Sequence, residues 1–156
     1  MESVAIADCD EGTLAEVTSL INRANADRRG PFVGDRLQPD TLGDHYRECE
    51  LLILRRGSAA IATFAHRAKE AGLWVYILAV DPAHKGQGYG ERMLREADRI
   101  ARDRSLEILV LEAVDVGRLV AYYERLGFSQ VSRVRCEKGH WGSTEPFDLV
   151  RLSRPV

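Results

Sequence analysis

No apolar run in this chain approaches the roughly 20 residues that a helix needs to cross a bilayer. The longest, Leu73 to Val80, has the length of a strand, so no membrane partner is expected. The N-terminus, Met1 to Asp10, lacks the basic region and long apolar stretch of a secretion signal, which points to a cytoplasmic location. Cysteine is scarce: Cys9, Cys49 and Cys136 are odd in number and far apart, which excludes a disulfide framework and a paired metal-ligand spacing. An excess of basic charge is missing too. With 22 Lys and Arg against 24 Asp and Glu, the net charge is −2, so no general attraction for nucleic acid is expected and a phosphate-bearing partner must be held locally. Repeats, low-complexity tracts and long Pro/Gly/Ser linkers are absent as well. A chain of 156 residues, 45% hydrophobic and 29% charged, then reads as one soluble globular domain over 1–156.

What the chain does have is a change of period along its length. The alternation at Val4 to Ala7 predicts a short strand, and Thr13 with Glu16 has the spacing of a capping box opening a helix with Leu14, Val17, Leu20, Ile21 and Ala24 on one face. Charges and glycines from Ala26 to Leu37 predict a loop, followed by a short helix from Pro39 to Cys49. Three strands, Leu51 to Arg56, Ala59 to His66 and Leu73 to Val80, have short polar connections and form a meander. The helical spacing of Met93, Leu94, Ala97, Ile100 and Ala101 comes next, and then an apolar run from Leu106 to Val114, as expected of a strand covered on both faces. Leu73 to Val114 is therefore a right-handed parallel βαβ unit. Leu119, Tyr123 and Leu126 mark another helix, with Gly127 as its left-handed cap, and strands at Phe128 to Arg135 and Phe147 to Leu152 close the chain. The fold class is α/β (α+β): a mixed sheet, antiparallel first and parallel in the middle, with helices on both faces.

The turn Lys85-Gly86-Gln87-Gly88-Tyr89-Gly90 joins the third long strand to a helix. Glycines at alternate positions let successive N–H groups converge on one point, and the helix start adds partial positive charge, which together make a diphosphate cradle. A nucleoside-triphosphate loop is excluded, because Gly90 is followed by Glu91-Arg92 and not by Lys-Ser/Thr. A dinucleotide fingerprint needs G-x-G-x-x-G where this turn has G-x-G-x-G, although Glu112 lies where an acid would hold a ribose. Nicotinamide-dinucleotide binding therefore stays as an alternative.

The same segment resembles the acetyl-CoA-binding motif of the GCN5-related N-acetyltransferases, Gln/Arg-x-x-Gly-x-Gly/Ala, with Lys85 at the family's first position. Leu78-Ala79-Val80-Asp81-Pro82 upstream and Tyr122-Tyr123-Glu124-Arg125-Leu126-Gly127-Phe128 downstream are similar to the family's strand end and its Tyr-Glu-x-Leu-Gly-Phe ending. The resemblance implies that the two parallel strands splay at their C-terminal ends and that acetyl-CoA lies in the gap. Its arm would pair with the backbone of Leu78, Ala79 and Val80, and its diphosphate would sit on Lys85, Gly86, Gln87, Gly88, Tyr89 and Gly90.

Transfer from a thioester to an amine needs an unprotonated amine, a donor to the developing oxyanion and a proton for the departing thiolate. By the resemblance, Tyr123 is the acid and a backbone N–H of Ala79 or Val80 holds the oxyanion. Many relatives carry a Glu base where this chain has Tyr76, which leaves Glu112, His66, His45 and His140 as base candidates, directly or through water. The family's pantetheine-contacting Asn aligns with Val116. The reading is an acetyl-CoA-dependent N-acetyltransferase acting on a primary amine of a small molecule or peptide; the alternative is an acyl-CoA-binding module of the same fold without transfer. The family often dimerises, so a homodimer is compatible with the resemblance. The acceptor would be read by Ala26 to Leu37 and Glu137 to Phe147, which include Trp141, and Arg28, Arg29 and Arg36 would attract an acidic one.

Overall fold

In the computed structural model, which describes residues 1–26 and 30–156, the strand alternation sorts side chains onto two faces of a single seven-stranded sheet. Its strands are β1 (Glu2–Ala5), β2 (Glu50–Arg56), β3 (Ala59–Lys69), β4 (Gly72–Val80), β5 (Ile108–Val114), β6 (Ser129–Cys136) and β7 (Phe147–Pro155). The spatial order is β1-β2-β3-β4-β5-β7-β6, and only the β4–β5 pair is parallel. Along β2, Leu52 and Leu54 face a core with Phe64, Leu94 and Leu109, while Leu51 and Ile53 face a second core with Leu20, Ile21 and Leu42. Helices α3 (Tyr89–Asp103) and α4 (Leu119–Arg125) close the first, and α1 (Glu11–Ala24) and α2 (Thr41–His45) close the second. Truncating a side chain such as Leu94, which is 1% exposed, would cost about 2–5 kcal/mol.

Local chemistry moves several expected boundaries. The first strand lies earlier than Val4 to Ala7, because Ile6 enters a short 3-10 turn and is buried. Thr13 does not cap α1; Asp10 does, its Oδ1 accepting from the Thr13 N–H at 2.6 Å. Glu16, freed from a capping box, pairs instead with Arg55 at 2.8 Å. The helix expected over Pro39 to Cys49 shrinks to Thr41–His45, since Cys49 must offer its carbonyl to Ile6 and lead into β2. The strand read from Leu106 begins at Ile108, and it is not covered on both faces: Glu112 is exposed. At α4 the expectation holds in detail. Gly127 has φ +93°, with Gly127 N–H donating to Glu124 and Phe128 N–H to Tyr123, the paired bonds of a Schellman ending.

The feature that makes room for a site is how little β4 and β5 touch. Their register runs only from Gly72–Ile108 to Trp74–Val110. Beyond it, β4 follows β3 and β5 follows β7, so the parallel strands part toward their C-terminal ends. A bulge sharpens the divergence, since the β3–β4 register slips between Thr63 and Ala65, and Ile77 sits at φ +49°. A branched residue in that region costs on the order of 1–3 kcal/mol and is held there by packing of its buried side chain against the second core.

Candidate active site

The glycine turn lies at the open end of that gap. Gly86 and Gly88 have φ +76° and +81°, and a Cβ built on either meets nothing within 4 Å, so the turn presents bare backbone. Gly88 is the N-cap of α3 and offers no side-chain cap. Among the described residues, no backbone N–H from Gly86 to Glu91 finds an acceptor; the donors resume at Arg92, which bonds Gly88. Helix starts normally satisfy their first amides with a side chain or water, and a run of open amides on an uncapped helix N-terminus has the polarity and geometry that suit an anion. Lys85 lies beside it with its Nζ 3.5 Å from the Ala24 carbonyl, and Tyr89 uses its ring elsewhere, edge-on to His84 and against the core.

Leu78, Ala79 and Val80 line the gap unequally. Ala79 pairs with Thr63 and Val80 with Ala62, and the Asp81 N–H donates to Ile61 at 2.8 Å. Alternation along an antiparallel ladder then points the backbone groups of Ala79 at β3 and those of Val80 and Leu78 into the gap. Of the two amides read as oxyanion donors, that of Val80 faces the gap and that of Ala79 faces β3.

Tyr123 is half-buried in α4, edge-on to Tyr122 at 5.2 Å and to Phe128 at 5.8 Å. Burial pushes its hydroxyl up to about 12; Tyr122 adds to the rise and the Arg36 guanidinium opposes it. It is therefore a protonated donor across the neutral range. Tyr122 has a part that the sequence did not suggest: its hydroxyl oxygen would lie 2.7 Å from a Cβ on Gly90. Gly90 is thus glycine because a tyrosine occupies its side-chain space, whereas Gly86 and Gly88 are glycine because of their φ.

The base candidates separate on burial and face. His66 is fully buried against Phe64, and desolvation lowers its pKa to about 4, the nearby Glu50 carboxylate notwithstanding. His45 is exposed on α2, and His140 lies in the β6–β7 connection against Trp141 and Phe147. Glu112 is on β5, 3.4 Å from Arg151, and its charge raises the pKa of Tyr76, already raised chiefly by burial. Glu112 and Tyr76 share the sheet face turned away from α3, with Tyr76 stacked near Trp74 and 5.8 Å from Tyr46.

Over this face runs a strap formed by residues 30–37. One end is tied to α1, where Asn22 and Leu37 exchange hydrogen bonds of 2.8 and 2.9 Å. The other reaches the β6–β7 connection, where Thr144 Oγ1 donates to the Pro31 carbonyl at 3.0 Å and Phe32 meets Phe147 at 5.0 Å. Gly30 passes so close to Val116 that a Cβ would lie 2.6 Å from its methyl group. Val116, which stands at the family's Asn position, therefore supports the strap. Of the loop cations, Arg28 and Arg29 lie outside the described residues, and Arg36 is the one whose charge reaches Tyr46 and Tyr123. A groove of about 770 Å3 runs between α1 and α2 past Leu14, Thr18 and Asp35 and includes neither Tyr123 nor the glycine turn. No helix among the described residues is long and apolar enough to cross a membrane.

Solved structures of similar fold are acetyltransferases. The ribosomal-protein-S18-alanine N-acetyltransferase of Escherichia coli superposes with a TM-score of 0.73 at 18% identity, over 99% of this chain and 93% of that one. A ribosomal-protein-alanine N-acetyltransferase of Brucella melitensis gives 0.68 at 16% identity over 100% of both chains. A Bacillus subtilis acetyltransferase solved in complex with CoA gives 0.61 at 13% identity, over 75% of this chain and 83% of that one. A search of proteins with curated functions finds no match. These likenesses are of fold. Sequence supplies the family: the model of the acetyltransferase (GNAT) domain, whose members use acetyl-CoA, matches residues 47–130, more than half of the 156, and the chain belongs to that family.

Proposed function

We propose that this chain is an N-acetyltransferase that takes its acetyl group from acetyl-CoA and delivers it to a primary amine of a small molecule or peptide. The observation that carries the reading is the run of open amides from Gly86 to Glu91, at the uncapped start of α3 and at the mouth of the β4–β5 gap. Such a cradle fits a diphosphate, and the inward-facing backbone of Leu78 and Val80 fits an extended amide-bearing arm. When bound, acetyl-CoA supplies a thioester carbonyl and a thiolate leaving group.

The chain's own groups then have separate tasks. The Val80 N–H holds the carbonyl oxygen as negative charge gathers on it, a contact typically worth 10²–10³ in rate. The Tyr123 hydroxyl, at about 12, donates to the sulfur. Full transfer of its proton to a thiolate near 8.5 would be uphill by about 5 kcal/mol, so Tyr123 acts chiefly by hydrogen bonding and solvent completes the protonation. Glu112 takes the amine proton through water, as the one candidate base that is a solvent-open carboxylate on the Tyr76 face. His66 is excluded by its burial.

One feature favours the second reading, a module that binds acyl-CoA without transferring: Tyr76 and Val116 replace side chains that relatives use. Thiol release from acetyl-CoA, followed against a panel of amines and peptides, separates the two. Release that depends on at least one amine is expected, and CoA binding with no acetylated product would remove the enzyme.

A further inference from the structure

We propose that Arg154, near the end of β7, is a positioning residue for the transfer: it fastens the end of α4 to α3 and so sets where the Tyr123 hydroxyl meets the sulfur. The inference rests on the transferase reading above, with Tyr123 as the donor, and adds a residue that works through it. The Arg154 guanidinium bridges two helices. Its Nη1 donates to the Leu126 carbonyl at 2.6 Å and its Nη2 to Asp98 Oδ2 at 2.6 Å. Leu126 is the C-cap of α4, and Asp98 lies on α3. The Arg154 and Asp98 side chains are only 17% and 14% exposed, so solvent screens the pair far less than a surface one. Asp98 is committed to it, since its other oxygen is buried without a partner among the described residues. The guanidinium also lies over the Phe128 ring at 4.8 Å, and Phe128 meets Tyr123 edge-on at 5.8 Å. Arg154 therefore reaches Tyr123 twice: through the ring of Phe128, and through Leu126, whose N–H donates to the Tyr123 carbonyl at 3.0 Å.

The two helices need this tie for different reasons. With seven residues, one of them buried, and no side-chain N-cap, α4 is too short to hold itself in water, so its place is set by what it is fastened to. Its Tyr123 and Glu124 carbonyls are taken by the N–H groups of Leu126, Gly127 and Phe128, which leaves the Leu126 carbonyl to Arg154. By contrast, α3 has 15 residues, buries Met93, Leu94, Ala97, Ile100 and Ala101, and begins at the open amides. Arg154 thus links the short helix that carries the acid to the anchored helix that carries the cradle. A cofactor arm of fixed length makes their separation matter, since a misplacement of about 1 Å can cost on the order of 100-fold in rate. Only a fork can serve both partners, because a lysine ammonium is a single point charge.

The test is a double-mutant cycle between Arg154→Lys and Tyr123→Phe, each variant checked by thermal unfolding to be folded. Lysine keeps the charge opposite Asp98 and gives up the hold on Leu126, so kcat should fall about 10-fold while CoA affinity by calorimetry stays nearly unchanged. In the Tyr123→Phe background the same substitution should cost nothing further, because no hydroxyl is left to position. A merely structural role would lower both backgrounds alike. Equal losses in the two backgrounds, or a fall in CoA affinity as large as the fall in kcat, overturns the inference. Should the native protein acetylate no amine, the transferase reading fails instead, and the position of Tyr123 is then read without turnover. In protein isotope-labelled at tyrosine, phenylalanine and glycine, Arg154→Lys should shift the Tyr123 ring signals and weaken their contact with Phe128, while the Gly86 and Gly88 amides stay in place. Tyr123 signals left unmoved would contradict it.

Discussion

The two ends of the β4–β5 gap are made of different material. At the glycine turn the open groups are main-chain amides from Gly86 to Glu91, set by the φ of Gly86 and Gly88. At the strap end they are side chains, Arg36, Tyr46, Tyr76 and Tyr123, gathered from a loop, a short helix, a strand and α4. A donor that never changes can be gripped by backbone, which tolerates drift in side chains. An acceptor that differs from one enzyme to the next has to be read by loops, where substitution is cheap.

The largest effect is expected of Tyr123→Phe. It should lower kcat by about 10²–10³ with CoA affinity nearly intact, because the hydrogen bond to the departing sulfur is lost. Its pH profile sharpens the point. With the native hydroxyl at about 12, the rate should show no loss from Tyr123 ionisation up to pH 10, where an ordinary tyrosine would be half ionised. Steady-state rates from pH 7 to 10.5 check both.

Next in size is Gly88→Val, which forces a branched residue to φ +81° and crowds the amides. Affinity for CoA should fall by about 100-fold, from backbone strain and a blocked approach together, while the strap end is untouched. Loss of acceptor binding with CoA binding preserved would break the proposed division.

Gly90→Ala distinguishes the reasons for which glycines are used. The new methyl meets the far end of the Tyr122 side chain, which must swing aside, so the usual helix gain of about 0.5–1 kcal/mol for alanine should be lost. Tyr122→Phe in the same chain removes the clashing oxygen and should recover most of that loss in a denaturant titration.

The smallest effect on substrate binding belongs to Thr144→Val, which removes the side-chain bond to Pro31 that anchors the strap. About 0.5–1.5 kcal/mol of local stability is at stake, so the acceptor KM should rise a few-fold with the KM for acetyl-CoA unmoved.

The same contrast explains what could be read from the sequence. The meander, the βαβ unit and the Gly127 ending rest on local periods and local turn chemistry, and each appears in the fold. The left-handed backbone of Gly86 and Gly88 at the start of a helix was legible because the meaning of alternate glycines is also local. The bulge at Ile77 was not, since a strained backbone is imposed by packing across the sheet and leaves no residue signature. Nor was the insertion of β7 between β5 and β6, which depends on pairing between distant segments. Thr13 and Glu16 had capping-box spacing, but Asp10 stands earlier with an equally good oxygen and takes the helix start. The strap's anchors at Leu37, Gly30 and Pro31 were not legible either, since their partners Asn22, Val116 and Thr144 lie elsewhere in the sequence, the last 113 residues away.

The most direct measurement is a titration of isotope-labelled protein with CoA, following each backbone amide. The signals of Gly86 to Glu91 and of Val80 should move together and saturate at one affinity, with residues 30–37 shifting less. Saturable binding that leaves the Gly86–Glu91 amides where they were would contradict the account at its root.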